Sequence, residues 1–424
     1  MSILFVISFL SDTFTPVLIW KAGLPAQFRW ISHTAIALMI IIAFSKVLRE
    51  GKGRQVLLFI SFLTSLGMIV AMANGQGIGP TLWGWWLLFK GPFIGLYAFL
   101  FSYLSRHYEV KIIKWCFGLT IVLLIAQLIQ YFGGEVPGDN LSGTLGPFGT
   151  GHLAIILVFS LSLMCGLWIA KGKKIGVITI TVIGIISSVL GEVKLYFYLF
   201  PLYTLISLFI LIKYKKGIKV WNATVILILI TCVMWGFLKL YENVFSEEKL
   251  LNWDSISKTT NILRYSEEYG WDVGRSYGTK YVWNRINKNF LTLAFGGGLG
   301  SRGESRSFNV AGLGTRSDLI NYSGTSLVVI LGEYGLFGIT LLLIIITWVS
   351  IKLCKGAISS KNVEFAGLQF GLLIYTVFSP FLLFYNSAWV MPLPSLLYWS
   401  SLGYVLSISR RNQLLIMNHV PHMV

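Results

Sequence analysis

Charge is what this chain of 424 residues has least of. Asp, Glu, Lys and Arg together make up 12% of it, about half the share of a soluble protein. That scarcity excludes an ordinary water-solvated domain. Cysteine is also rare: four residues, at 116, 165, 232 and 354, each within or at the end of an apolar block and with no CxxC among them. This excludes a disulfide framework and a structural zinc site. The five histidines, at 33, 107, 152, 419 and 422, show no metal-ligand spacing. His33 and His152 alone fall near the non-cytoplasmic face, and a satisfied structural role suits each, with His152 notable for following a glycine-rich stretch, 146–151.

Hydrophobic residues, by contrast, make up 55% of the chain. They fall in blocks of about 17 to 25, the length needed to cross a hydrocarbon core of roughly 30 Å. The chain therefore reads as an all-α polytopic membrane protein of about twelve transmembrane helices. The expected spans are roughly 2–19, 31–48, 55–73, 83–104, 112–132, 152–170, 175–190, 195–212, 220–241, 323–351, 363–384 and 389–408. The first block lacks a small-residue cleavage pattern and reads as a retained span. Three regions follow: spans one to nine over 1–241, a large loop over 242–322, and the last three spans with a tail over 323–424.

The basic residues orient these spans. With both termini in the cytoplasm, nineteen Lys and Arg fall in the cytoplasmic connections and tail, against Lys21, Arg29 and Lys194 in the short outer ones. Such an asymmetry is the positive-inside signal. It accounts for most of the formal charge of +17, as a topology signal and as attraction to anionic inner-leaflet lipid, so no nucleic-acid partner is called for. The large loop is then extracytoplasmic. It carries ten Lys and Arg and nine Asp and Glu, so its arginines act locally. Its spacing predicts a short helix from Ser276 to Phe290, with Tyr281, Arg285 and Lys288 on one face.

A chain this apolar has few places for chemistry on a polar substrate. Charges at membrane depth cost about 2.5–3.5 kcal/mol on insertion scales, which makes each a functional candidate. Asp12, Lys90, Glu192, Lys194 and Glu333 qualify. Glu192 and Lys194 sit in a connection too short to reach far into water. They read either as an interfacial ion pair or as a fixed basic group for a lipid-linked phosphate. Lys90 either snorkels to the outer interface or binds substrate. Asp12 reads as a polar residue facing the bundle. Glu333, between Gly332 and Gly335, reads as a hydrogen-bonded group in a close helix contact or as a substrate contact. In the loop, Arg275, Arg285, Arg302, Arg306 and Arg316 are anion-binding candidates, since guanidinium binds phosphate bidentately and stays charged. Arg275 and Arg302 stand out because adjoining glycines allow close approach. Asp318 precedes the next span and reads as a base or as a helix N-terminal charge. Asp139 lies in a smaller glycine-rich outer loop, 133–151. Gly298-Leu-Gly-Ser-Arg-Gly303 fits GxGxxG but follows no strand, which excludes a dinucleotide site.

Several segments together carry a resemblance. Gly332-Glu-Tyr-Gly-Leu-Phe-Gly338, Phe295-Gly-Gly-Gly-Leu-Gly300, Gly274-Arg275 and Asp139 with Gly143-Thr-Leu-Gly146 occur in this topological order. In motifs and architecture the chain resembles the O-antigen polymerase and O-antigen ligase superfamily of bacterial polysaccharide assembly. Glu192 and Lys194 occupy the place where ligase-type members put a phosphate-binding Ser-Arg. Ligases also carry a His eleven residues before the second glycine of the Gly332 signature. Here that position is Gly324, which favours polymerase over ligase.

The resemblance implies a multi-pass protein of the bacterial inner membrane. It implies a glycosyltransferase that joins undecaprenyl-diphosphate-linked oligosaccharides, as in O-antigen, lipopolysaccharide or exopolysaccharide synthesis. No cofactor and no metal are implied. A flippase and a chain-length regulator are the implied protein partners. Glu192, Lys194, Arg275 and Asp318 are expected to be catalytic. Arg302, Arg285, Arg306, Asp139, Lys90 and Glu333 are expected to bind substrate. A ligase, or a lipid-linked oligosaccharide flippase, are the other readings. Charges gathered at one face and an interrupting loop count against the flippase.

Overall fold

In the computed structural model, residues 2–102, 107–147, 149–172, 174–214, 263–266, 270–273, 275–302, 304–305, 310–312 and 325–418 are described, with four positions between 232 and 239. Helix α1 (Ile3–Ala22) starts where the Ser2 side chain accepts from the Phe5 amide, and it ends at Gly23 in a left-handed conformation, the usual stop for a helix. It is followed by α2 (Trp30–Glu50), α3 (Arg54–Ala73), α4 (Ile78–Phe101), α5 (Tyr108–Phe132), α6 (Thr150–Lys171), α7 (Ile175–Leu190) and α8 (Lys194–Tyr214). The loop region supplies α9 (Arg275–Ile286) and α10 (Phe290–Phe295), and the last part α11 (Ser326–Ser359), α12 (Val363–Val377), α13 (Ser379–Tyr385) and α14 (Pro392–Asn418).

Among the described residues, eight helices are long and apolar enough to cross a membrane, or nine if α12 and α13 are one span bent by 51°. The chain is thus built as a helical membrane protein. The expected twelve spans meet the structure unevenly. Most of the expected ninth, 220–241, lies outside the described residues. α7 has 16 residues, about 24 Å of helix at 1.5 Å per residue, short of the hydrocarbon core. The expected span 363–384 breaks after Phe378, with Pro380 in the first turn of α13.

α6 is the hub, buried along most of its length. It crosses α12 by direct backbone contact: a Cβ on Gly166 would sit 2.8 Å from the Gly371 Cα and nearer still to the Gly367 carbonyl. Gly367 and Gly371 are four apart on one face, the small-residue spacing that lets membrane helices approach. The main core spreads from this contact through Leu157, Leu161, Leu368 and Leu372 to Tyr196 and Tyr203 of α8.

Two short antiparallel ladders lie in the loop region. β1 (Leu263–Ser266) pairs with β2 (Gly270–Val273), Leu263 opposite Val273, and β3 (Glu304–Ser305) pairs with β4 (Val310–Ala311). The predicted loop helix forms but ends early, at Ile286. Asn289 caps α10, accepting from the Leu291 amide at 2.9 Å, so Lys288 falls between helices. The buried face of α9 is Gly278, Val282 and Ile286, not the 281, 285, 288 face. Val282 and Ile286 pack on Val328 and Leu331 of α11.

Candidate functional site

The connection from α7 to α8 is a tight turn. The Val193 amide donates to the Ser188 carbonyl at 2.9 Å, and the Lys194 amide to the Glu192 carbonyl at 3.0 Å. Glu192 holds φ 53°, one of two non-glycine residues with positive φ among those described. A charged residue in that region is strained, and such strain concentrates at functional sites. The turn is pinned from below, where the Gln127 side chain donates to the carbonyls of Leu141 and Ser187 at 2.6 and 3.2 Å. Lys194 Nζ and Glu192 Oε1 form a half-buried ion pair at 3.2 Å.

Arg275, the first residue of α9, comes to the same place. Its Nε donates to the Tyr385 carbonyl at 2.6 Å, and its guanidinium lies over the Tyr385 ring at 4.0 Å. Tyr385 also interacts electrostatically with Lys194 and Glu192, and its side chain meets the Leu195 backbone. Three residues singled out in the sequence, from two distant segments, thus surround one tyrosine at the end of α13. Tyr385 itself was not foreseen. A tyrosine closing an apolar block gives no signal of its own, since aromatics are common at membrane interfaces. The arrangement offers two cations and a carboxylate within one half-buried patch, chemistry suited to a charged leaving group beside a proton acceptor.

The glycine run from Gly296 to Gly300, part of the large loop in the sequence, is packed among the helices. It is buried against α3, α4 and α11. Inside α11, Gly335 adopts φ 60° and ψ −152° and breaks the helix. The carbonyls next to this break accept instead from the glycine run: Gly332 from the Gly297 amide at 2.8 Å, and Glu333 from the Gly298 amide at 3.1 Å. The Leu299 amide continues the lock onto the Gly67 carbonyl of α3 at 3.1 Å, and Gln76 Nε2 donates to the Gly300 carbonyl at 3.0 Å. Backbone groups in an apolar setting need internal partners, and here a broken helix and a glycine run supply each other's. Two of the four segments that carry the resemblance, 295–300 and 332–338, are in direct contact.

Arg302 and Glu333 belong to this lock. Arg302 is 5% exposed and lies along Gly332. Glu333 is fully buried, and neither of its carboxylate oxygens has a hydrogen-bond partner among the described residues, although the Arg302 charge is near enough to act on it. Both were expected to bind substrate; they lie in the lock and are not among the residues gathered at Tyr385. Arg285 is half-buried on α9. Asp139 is exposed and accepts from the Thr150 hydroxyl at 2.7 Å. Arg306, Arg316 and Asp318 lie outside the described residues. Lys90 does not snorkel. It is 2% exposed within α4 and interacts electrostatically with Asp12 of α1.

A separate cleft of about 1450 Å³ runs between α3, α4, α11 and α14. Its walls are mainly apolar, and Lys352, Lys355 and Lys361 stand at one end. No family model matches the chain, and no curated protein matches it.

Proposed function

We propose that this protein is a polysaccharide polymerase that joins oligosaccharide repeat units carried on undecaprenyl diphosphate, working at the outer face of a bacterial inner membrane. The observation that carries this reading is the meeting of Arg275, Lys194 and Glu192 around Tyr385. In the reaction, a sugar hydroxyl oxygen of one lipid-linked unit forms a bond to the anomeric carbon of the chain on another. The bond from that carbon to the diphosphate oxygen breaks, and the lipid diphosphate leaves with the electron pair. Arg275 and Lys194 neutralise the growing charge on the diphosphate. Glu192, already ion-paired with Lys194, or Asp318 accepts the hydroxyl proton or orients the acceptor. Arg302 is left out of this scheme because it is buried in the glycine lock along Gly332.

A ligase would use the same cations on the same leaving group, with a different acceptor. The transporter reading draws on a separate observation: the apolar cleft with its lysine end, of a size to admit lipid. Deleting the protein in its host separates all three. Loss of a polymerase leaves surface glycan with single repeats. Loss of a ligase leaves polymer on its lipid carrier. Loss of a transporter leaves unpolymerised units on the cytoplasmic leaflet, and that result overturns the proposal.

A further inference from the structure

The polar cluster around Lys90 takes no part in the Tyr385 patch, yet it is costly to keep. Lys90 is nearly fully buried, midway along a membrane-spanning helix, and a charge there is retained for a function by default. Asp12 faces it from α1 and bonds to Ser32 of α2. An ion pair closed on itself would leave no polar atom over. Here two acceptors remain: Asp12 Oδ2 and His33 Nδ1 are buried and receive no hydrogen bond from the described residues. Half-buried indoles border His33. The His33 ring centroid lies 5.6 Å from that of Trp86 and 6.4 Å from that of Trp83.

The chemistry of these groups selects a ligand. A carboxylate oxygen and an imidazole nitrogen accept from hydroxyls, and an ammonium donates to them. Indole faces offer flat apolar surface beside those polar atoms. Vicinal hydroxyls next to a C–H face, as on a pyranose, match both. A phosphate does not, because the Asp12 carboxylate would repel it.

We propose that Asp12, His33 and Lys90, with Trp83 and Trp86, form a neutral-sugar subsite. Resting on the polymerase reading, it is the site that holds the acceptor unit. Its position fits. His152 interacts electrostatically with Lys90. The preceding Gly151 abuts Asn386, where an added Cβ would sit 2.6 Å from Nδ2, and Asn386 is the neighbour of Tyr385. His152 and Asn386 thus lie between the subsite and the patch assigned to the diphosphate. Asp12 and His33 orient hydroxyls, and the indoles set the plane of the ring.

The test is direct binding. The probe is the free oligosaccharide repeat released by mild acid from the host's own glycan. It is titrated against the purified full chain in lipid nanodiscs and followed by tryptophan emission. The wild type is expected to bind. Asp12→Asn and Trp86→Leu are each expected to weaken binding at least about tenfold, the loss of one charged or well-packed contact. Arg275→Lys is expected to bind the sugar like the wild type while losing affinity for inorganic diphosphate. Trp86→Leu leaves both charges in place and keeps the test open if Asp12→Asn does not fold. No sugar binding by the wild type, or unchanged binding by a folded variant, overturns the subsite. If such a result comes with single-repeat glycan in the deletion strain, the polymerase reading survives alone. Lost sugar binding in the variants, with normal polymer in the deletion strain, supports the subsite and overturns polymerase.

Discussion

Gly300→Ala is the sharpest perturbation of the glycine lock. Gly300 has φ +77°, and an added Cβ would sit 2.8 Å from the Thr81 amide nitrogen and closer still to the Pro80 carbonyl. Both obstacles are backbone at the start of α4, so no side chain can swing away. Holding alanine in the left-handed region costs about 1–2 kcal/mol. Forcing an atom into a packed contact adds about 1–3 kcal/mol. The total, roughly 2–5 kcal/mol, is expected as a clear drop in the melting temperature of the purified protein, followed by size-exclusion chromatography after heating. Gly118→Ala is the control. Gly118 lies inside α5 with nothing within 4 Å of the added atom, and alanine is favoured there by up to about 1 kcal/mol. If Gly300→Ala melts with Gly118→Ala and the wild type, the close approach of the glycine run to α4 is wrong.

Other predictions follow from single contacts. Arg275→Lys loses the planar contact with Tyr385 and is expected to slow chain growth by about 10²- to 10³-fold, the usual effect of removing one preorganised donor. Lys194→Ala is expected to act in the same direction, and normal glycan length in both, at normal protein levels, would remove the diphosphate site. Arg302→Met removes a charge that acts on buried Glu333 and is expected to lower the melting midpoint. Adding Glu333→Gln is expected to return part of that loss in the same melting assay. Tyr404→Phe removes the hydroxyl that donates to buried Glu109 at 2.7 Å, an expected loss of about 1.5–3 kcal/mol, measured as the shift in melting midpoint.

The helical spans were legible because crossing a bilayer demands length and apolarity together, and both are written in the chain. Breaks within them were not. Gly335 looks like a packing glycine in an apolar run, and only its φ and ψ show that the helix stops and restarts. The glycine run misled for a related reason. Without side chains it reads as a polar loop, whereas what it contributes is amide hydrogens for carbonyls that a broken helix leaves open. α9 was legible at its start, but Asn289 as a cap is one polar residue among several. At the candidate site, Glu192, Lys194 and Arg275 stood out because a charge is rare in this chain. Arg302 stood out by the same logic and proved to be buried in the glycine lock, since rarity marks a charge as meaningful without telling what it faces. Asp12 read as a residue facing the bundle, and its interaction with Lys90 could not be foreseen without the packing of α1 and α4 about α2.

The lock and the Tyr385 patch are joined by one short helix, and this bears on how the site is held. α9 begins at Arg275, on Tyr385, and its buried face rests on Val328 and Leu331 of α11. Three residues after it ends, α10 starts, and α10 leads straight into Gly296, whose added Cβ would sit 2.7 Å from the Gly335 amide. Arg275 is thus placed by a segment fixed at both ends, one at α13 and the other at the break in α11. Side chains held by such a frame lose little freedom when an anion binds. It follows that a change in the lock reaches the patch without touching it. Gly300→Ala, assayed well below its melting temperature, is expected to lower the rate of chain growth while leaving Arg275 and Tyr385 intact in sequence. A destabilised control, Tyr404→Phe, lies midway along α14 on Glu109 and is expected to leave that rate unchanged. Equal rates for the two variants would mean that α9 holds Arg275 by its own contacts alone.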